Sequence, residues 1–99
     1  MSKIYSGYSN FLDASSQKTL HSGAGKVHAI LCTTTTSGGS YLTLYDATSA
    51  DAAKKLIELN PSHYSPIVLI FGPNLPLRFG EGLTAKTGAN VSAFIITEQ

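Results

Sequence analysis

Short apolar runs separated by turn residues dominate the last third of the chain. Residues 67–71 and 91–97 are rich in β-branched and aromatic residues, apolar on both faces, and too short for buried helices. The turn-forming segments 72–74 (Gly-Pro-Asn) and 80–82 (Gly-Glu-Gly) separate the runs. This pattern predicts the strands of an antiparallel sheet protein.

Weaker strand signals occupy the part of the chain before residue 34. Residues 17–22 predict a first short strand, and the glycines of residues 23–25 predict a turn after it. Residues 26–33 predict the next strand, with alternate side chains on opposite faces. One face is expected to carry Val27, Ala29 and Leu31, and the other to carry His28, Ile30 and Cys32.

A loop and a further strand follow. Residues 34–40 contain Gly38 and Gly39, which favours a hairpin loop, and residues 41–46 predict the returning strand. Leucines and hydroxyl-bearing side chains alternate along that strand. We expect Leu42 and Leu44 to point inward, with Tyr41, Thr43 and Tyr45 outward.

Residues 50–60 are compatible with either a helix or a strand. They contain good helix formers, and Leu56 with Leu59 belongs to a helical stripe. The alternation within the same segment also suits an edge strand. Because strong strands flank it at short loop distance, we favour a strand over residues 54–60, which Pro61 ends in either case.

The final part of the chain predicts one edge strand and one hairpin. Residues 75–79 alternate apolar with other positions, and Pro76 confines this run to a sheet edge or a bend. Residues 83–86 and 89–97 predict the last hairpin, with its turn at residues 87–88.

About seven or eight strands at short spacing suit two packed sheets better than a helical layer fold. The expected fold class is all-β: a single-domain antiparallel β-sandwich, jelly-roll-like, over residues 17–99. No repeat, linker or shift in composition indicates a second domain.

Residues 1–16 predict an irregular N-terminal arm, because their apolar side chains follow neither a strand nor a helix period. A short helical turn over residues 10–15 is compatible with Asn10 as its cap. Two placements remain open: the arm folds back over one end of the sandwich, or it lies on a neighbouring subunit as an aromatic anchor. The candidate subunit contacts are Ile4, Tyr5, Tyr8, Phe11 and Leu12.

Composition adds a low charge to this picture. Charged residues make up 13% of the 99 residues, against about 25% in typical domains, and the formal net charge is +1. Because little charge repels a second copy or attracts a polyanion, we expect a surface partly covered by other subunits and no nucleic-acid partner. A free small protein that tolerates a neutral surface is the alternative.

The sequence also bears on compartment and redox state. Cys32 is the single cysteine, so no intramolecular disulfide is expected. The first residues lack the apolar core of a signal peptide, and no run approaches the roughly 20 apolar residues that cross a bilayer. We therefore expect synthesis in a cytoplasm and no membrane partner.

Residue patterns for catalysis or metal binding are weak. His28 and Cys32 lie four residues apart on a predicted strand, which is about 13 Å, too far for one zinc ion. Asp46 and Asp51 lack the alternating oxygen ligands of a calcium loop. The glycine turn before Lys26 lacks the spacing of a phosphate-binding loop. We expect no catalytic, cofactor or metal site and no enzyme activity.

Five segments carry a resemblance to a known group of proteins. They are residues 25–31 (Gly-Lys-Val-His-Ala-Ile-Leu), 42–46 (Leu-Thr-Leu-Tyr-Asp), 66–73 (Pro-Ile-Val-Leu-Ile-Phe-Gly-Pro), 77–83 (Leu-Arg-Phe-Gly-Glu-Gly-Leu) and the closing strand pair. Their order resembles small bacteriophage virion β-sandwich proteins, found as capsid decoration (cement) or tail-associated subunits. The resemblance covers residues 25–97 and consists of strand and turn patterns without a catalytic signature.

The resemblance implies a virion structural role, as a capsid decoration protein that binds and stabilises the outer surface of a bacteriophage head. It further implies the major capsid protein as partner, a homo-oligomer with a trimer favoured, and a place on the capsid surface. Besides the arm, the loops at residues 33–40 and 47–51 are candidate contacts at the sheet ends.

Two other functions remain open. A tail, fibre or connector subunit is the second virion role that the resemblance allows. A carbohydrate-binding β-sandwich module is the alternative outside virions, with Tyr41, Tyr45 and Tyr64 as exposed stacking platforms for sugars.

Overall fold

The structure, a computed structural model, describes residues 8–13, 15–36, 40–62, 65–71 and 76–99. Within these residues the chain forms nine strands and one short 3-10 helix. The strands are β1 (Tyr8–Leu12), β2 (Gln17–Ser22), β3 (Gly25–Thr34), β4 (Leu42–Tyr45), β5 (Lys55–Leu59), β6 (Ile67–Ile70), β7 (Leu77–Phe79), β8 (Gly82–Thr87) and β9 (Val91–Glu98), with the 3-10 helix at Ala52–Lys54.

The strands pair as a nested set of antiparallel partners. β4 pairs with β5, β3 with β6 and β7, β2 with β8, and β1 with β9. Further pairing of β9 with β3 and of β8 with β4 assembles them into two sheets. The first sheet has the order β1-β9-β3-β6, with β7 also on β3, and the second has the order β2-β8-β4-β5.

This topology is an eight-position jelly roll. β6 and β7 both pair antiparallel with β3, one after the other, and so occupy one position in the first sheet. Except for β4–β5 and β6–β7, consecutive strands belong to opposite sheets. The arrangement confirms the predicted fold class, an antiparallel two-sheet sandwich of the jelly-roll kind.

Two predicted hairpins were wrong, because both connections cross between the sheets. The segment after β3, predicted as the hairpin loop 34–40, leads to β4 in the second sheet. The turn between β8 and β9 leads from the second sheet to the first. Glycine and hydroxyl residues signal that the chain turns, but they do not say which strand the next one will pair with. Residues 37–39 of the first loop lie outside the described residues.

The predicted alternation along β3 was also wrong, because a β-bulge interrupts the strand. Val27 lies opposite Thr97 whereas Ala29 lies opposite Ile96, so His28 is an extra residue in the ladder. Because of the bulge, Val27 before it and Ile30 after it both point into the core, and both are buried. Leu31 points out of the sandwich instead and is exposed.

Residues 55–59 form a strand, as the sequence favoured. β5 pairs only with β4 among the described strands, which makes it an edge of the second sheet. The helix-forming residues before it form only the three-residue 3-10 helix. Asp51 caps this helix, because its carboxylate accepts a hydrogen bond from the backbone N–H of Ala53 at 3.0 Å.

Residues 8–12, which were predicted to be part of an irregular arm, form a strand, so that part of the prediction was wrong. β1 pairs with β9 over five residues, from Tyr8 opposite Thr97 to Leu12 opposite Ala93. A five-residue strand is too short to show a clear period. Its backbone hydrogen bonds are made with β9, on the side of β9 that faces away from β3. The sandwich therefore begins at β1 rather than at residue 17, and residues 1–7 lie outside the described part of the chain.

The core lies between the two sheets and is almost entirely aliphatic. Leu12, Ile30, Leu42, Leu83 and Ile95 are among its buried side chains. His21 closes one end: its Nε2 lies 2.6 Å from Thr97 Oγ1, its Nδ1 lies 3.1 Å from Gln99 Oε1, and its ring stacks on Phe79 at 5.7 Å. These contacts hold the end of the chain against β2.

At Gly25, the neighbouring strands β7 and β9 of the first sheet leave no room for a side chain. A Cβ there would lie 2.5 Å from Cζ of Phe79 and 2.6 Å from the carbonyl oxygen of Glu98. The phenyl ring can rotate away, but the carbonyl belongs to the β9 backbone beside β3. A glycine is therefore required at the start of β3.

We predict that Gly25→Ala lowers the free energy of unfolding by about 1–3 kcal/mol, because the added methyl group would be overpacked against Phe79 and the Glu98 carbonyl. Gly80→Ala is the matched control, since its Cβ would meet only Asp46 Oδ2 at 3.8 Å. Urea denaturation of both variants measures the difference. Wild-type stability in Gly25→Ala would contradict the packing described here.

Candidate interaction face

The outer face of the first sheet carries a row of apolar side chains, one from each of four strands. Phe11 of β1 lies opposite Phe94 of β9, Phe94 lies opposite Leu31 of β3, and Leu31 lies opposite Val68 of β6. The rings of Phe11 and Phe94 are 5.0 Å apart at a tilt of 50°. Side chains directly opposite one another on the same face touch, so the row is continuous across the sheet.

A second apolar row lies beside the first. Ile96 of β9 lies opposite Ala29, and Ala29 lies opposite Ile70 of β6. Ile70 is 80% exposed and Val68 is 59% exposed, so the β6 end of both rows is the most open to solvent. The outer apolar face is defined here as the five exposed large apolar residues Phe11, Leu31, Val68, Ile70 and Phe94.

Polar residues border the outer apolar face at both ends of the strands. Thr33 and Ser92 form the next row at one end, opposite each other on β3 and β9. At the other end, Nε2 of His28 lies 2.7 Å from Oε1 of Glu98, beside Lys26. The result is a central apolar area with a polar rim, which is the usual composition of a protein–protein interface.

The outer face of the second sheet has the opposite character. Thr43 and Lys86 lie opposite each other there, and Thr43 Oγ1 donates to Oε1 of Glu58 at 3.4 Å. Glu58 also accepts from Nζ of Lys55 at 3.0 Å. Because only one of the two outer faces is apolar, the apolar face is a specific feature of the molecule rather than a general lack of charge.

The Asp46 carboxylate holds two loops together. Oδ1 of Asp46 accepts from the backbone N–H groups of Gly80 at 2.9 Å and Glu81 at 2.8 Å. These hydrogen bonds, the one from Glu81 foremost, hold the pKa of the Asp46 carboxyl below its ordinary value. Lys54 pairs with the Glu81 carboxylate beside them. The cluster fastens the β7–β8 turn to the loop after β4.

Cys32 lies in the core, on the inner face of β3. Burial raises the pKa of its thiol, which keeps the thiol protonated. The described residues contain no group of three metal-ligating side chains, and none of their helices has the length and apolarity of a membrane span.

The structure separates the residues predicted as subunit contacts. Phe11 is 46% exposed on the outer apolar face, whereas its neighbour Leu12 is 1% exposed in the core. Tyr8 begins β1, and Ile4 and Tyr5 lie outside the described residues. The arm as contact site therefore stays a prediction, while Leu12 has a packing role within the chain.

Sequence reasoning missed most of the outer apolar face. The sequence pattern predicts strands for four of its residues but assigns them no role on the surface: Phe94, Leu31, Val68 and Ile70. The available signal was that residues 67–71 and 91–97 are apolar on both faces, which a sandwich strand with one solvated face does not require.

The two loops named as candidate contacts lie at opposite ends of the sandwich. Residues 33–40 precede β4 and residues 47–51 follow it, so the length of β4 separates them. Tyr45 was predicted to be exposed as one of three stacking platforms for sugars, and this was wrong, because Tyr45 is only 9% exposed. Thr43, which was also expected to point outward, is buried. Tyr64 lies outside the described residues.

No model of a known protein family matches this chain, and no curated protein matches it. Among solved structures, it is similar to a chain in the cryo-EM structure of the giant freshwater prawn Macrobrachium rosenbergii extra small virus (XSV) VLP. The sequence identity is 12% and the TM-score is 0.37, over 100% of this chain and 85% of that chain. The likeness is distant, and the function proposed below rests on this chain's own residues.

We predict that neighbouring residues 11 and 12 respond differently to truncation. Leu12→Ala should lower the free energy of unfolding by about 2–5 kcal/mol, because it opens a cavity in the core. Phe11→Ala should lower it by less than about 1 kcal/mol, because the ring is half-exposed. Thermal or urea denaturation distinguishes the two. Equal losses would mean that Phe11 belongs to the core and not to a free surface.

We predict that Asp46→Asn destabilises the protein at pH 7 and much less at low pH. Because the pKa of Asp46 is lowered by folding, its contribution is present above the unfolded value near pH 4 and is lost as the pH falls through the folded value. The loss at pH 7 is expected to be at most about 1 kcal/mol, because solvent screens this carboxylate. Urea denaturation at pH 7 and pH 2.5 measures it, and a pH-independent difference would refute the assignment.

Proposed function

We propose that this protein is a virion structural protein, and more specifically a capsid decoration protein that binds and stabilises the outer surface of a bacteriophage head. The observation that carries the proposal is the outer apolar face, which crosses four of the five strands of the first sheet and has a polar rim. The sequence resemblance to small phage virion proteins supplies the class of particle.

The outer apolar face has the anatomy of a docking surface. The rings of Phe11 and Phe94 contact each other at a tilt of 50°, and large aromatic side chains on a rigid sheet supply contact area at low entropy cost. A sheet face presents these side chains in fixed positions, which suits a repeated contact on a regular shell. Leu31 and Val68 extend the same row to the far edge.

Repetition explains how such a face can stabilise a shell. Each copy that binds assembled shell and not free shell subunits shifts the assembly equilibrium toward the shell by linkage. If each docked copy also contacts its neighbours, the contacts act together and the overall affinity exceeds that of one contact. A net charge of +1 means that neighbouring copies do not repel one another strongly.

The remaining polar chemistry supports a structural and non-catalytic role. Asp46 fastens two loops, and His21 bonds to Thr97 and Gln99 at the end of the sandwich. His28 pairs with Glu98 at the rim of the outer apolar face. These side chains hold the fold together, and the proposal assigns none of them to a reaction.

The N-terminal arm belongs to the same proposal. Residues 1–7, which include Ile4 and Tyr5, precede β1, the edge strand that carries Phe11. We propose that arm and face act together on the major capsid protein or a neighbouring copy. We propose that the trimer favoured by the resemblance forms from these contacts on the particle and not in free solution. A tail or fibre subunit is the alternative, because the same face could dock on a tail lattice.

We predict that Phe94→Lys abolishes docking on the particle without unfolding the protein, because it places a charge at the centre of the apolar row. Ser22→Lys is the matched control: it adds the same charge on an exposed edge of the second sheet. Particles lacking the protein are mixed with each purified variant and imaged by cryo-electron microscopy.

The expected result is density outside the head shell with wild-type protein and Ser22→Lys, and bare heads with Phe94→Lys. The decorated heads should also resist heating better than bare ones. Density on the tail would support the alternative instead. Absence of the protein from purified particles would overturn the proposed function altogether.

A further inference from the structure

The four sheet edges of this protein are protected unequally. β2 carries Lys18, and β5 carries Lys55 and Glu58, so both edges of the second sheet contain charged residues. Of the edge strands of the first sheet, β1 and β6 contain no charged residue, but β1 includes Ser9 and Asn10, whereas β6 has the wholly apolar sequence Ile-Val-Leu-Ile. Charged residues on an edge strand prevent another chain from adding to the sheet, and an apolar edge without them invites such pairing.

The free edge of β6 presents its backbone in a defined pattern. Among the described residues, β6 pairs only with β3, with Ile30 opposite Leu69 and Leu31 opposite Val68. Phe71 N donates to the carbonyl oxygen of His28 at 2.8 Å, which identifies that pair as hydrogen-bonded. Because hydrogen-bonded and non-hydrogen-bonded pairs alternate, Leu69 bonds to β3 while Val68 and Ile70 direct their N–H and C=O groups away from it.

We propose that β6 pairs antiparallel with β6 of a second copy of this chain and joins two first sheets into one continuous sheet. Val68 would exchange two backbone hydrogen bonds with the partner's Ile70, and Ile70 would do the same with the partner's Val68. The two-fold axis would pass between Leu69 and the partner's Leu69. All four outward backbone groups of Val68 and Ile70 are then satisfied.

The register centred on Val68 leaves an acceptor unmatched. Centring the pair on Val68 places Ile70 opposite Pro66, which has no N–H to donate. The register centred on Leu69 avoids Pro66 and matches every outward group. It also places Val68 beside the partner's Ile70 on the outer side, where they are now 59% and 80% exposed. The pairing therefore brings the two most exposed large apolar side chains of the described residues into contact across the dimer.

A dimer of this kind would double the outer apolar face. The row from Phe11 to Val68 would continue into the partner's Ile70 and its neighbours across one sheet. The contact is isologous and closes at two copies, whereas a trimer requires a different surface. The pairing does not depend on the proposed function, since it concerns a backbone edge rather than what the face binds.

Amide hydrogen exchange of the wild-type protein tests the pairing residue by residue. In a monomer, the amides of Val68 and Ile70 should exchange fast while those of Leu69 and Phe71 are slow. In the dimer, Val68 and Ile70 should slow by about tenfold or more as the protein concentration rises. Fast exchange of both at the highest concentration, whether the protein is a monomer or a trimer, would overturn the proposal.

Ile70→Pro removes one outward donor from each copy and leaves the β3 ladder intact, because proline is tolerated where the N–H faces away from the sheet. Ile70→Thr is the matched control: it keeps the N–H and the β-branched shape but loses apolar area. Sedimentation should show a dimer for wild type, a weakened dimer for Ile70→Thr and a monomer for Ile70→Pro, with unchanged β circular dichroism. A dimer that survives Ile70→Pro would refute the edge pairing.

Discussion

The whole structure depends on β9, a central strand that is apolar on both faces. Its inner side chains, including Val91, Ala93 and Ile95, are buried between the sheets, and its backbone pairs with β1 on one side and β3 on the other. On its outer side, Phe94 belongs to the outer apolar face, and Ile96 lies in the second apolar row beside it. One strand thus supplies both the core of the fold and the centre of the surface that we propose docks on a shell.

The sequence was sufficient to predict the fold class and every described strand except β1, because these follow from local pattern. The segment 54–60 was correctly favoured as a strand although its residues form helices well, since neighbouring strands decide its pairing. The two crossovers and the bulge at His28 were not predictable in this way. They depend on which strand is the partner, and partners such as β3 and β9 are more than fifty residues apart.

The site was predicted less well, for a related reason. Phe11 and Leu12 look equivalent in sequence, yet alternation in β1 places one on the surface and the other in the core. Only the pairing register joins Phe11, Phe94, Leu31 and Val68 into a single row. The available sequence signal was a strand that is apolar on both faces. In an antiparallel sandwich, such a strand indicates that the outer face of its sheet is apolar as well as the inner one.

Hydroxyl-radical footprinting of the wild-type protein, free and on purified particles, tests most directly whether the outer apolar face is a docking surface. The radicals oxidise exposed aromatic and aliphatic side chains, and mass spectrometry reads each position. The account predicts that Phe11, Leu31 and Phe94 are oxidised in the free protein and protected on the particle, while residues of the second sheet react alike in both. Equal oxidation of these three residues in both states would contradict it.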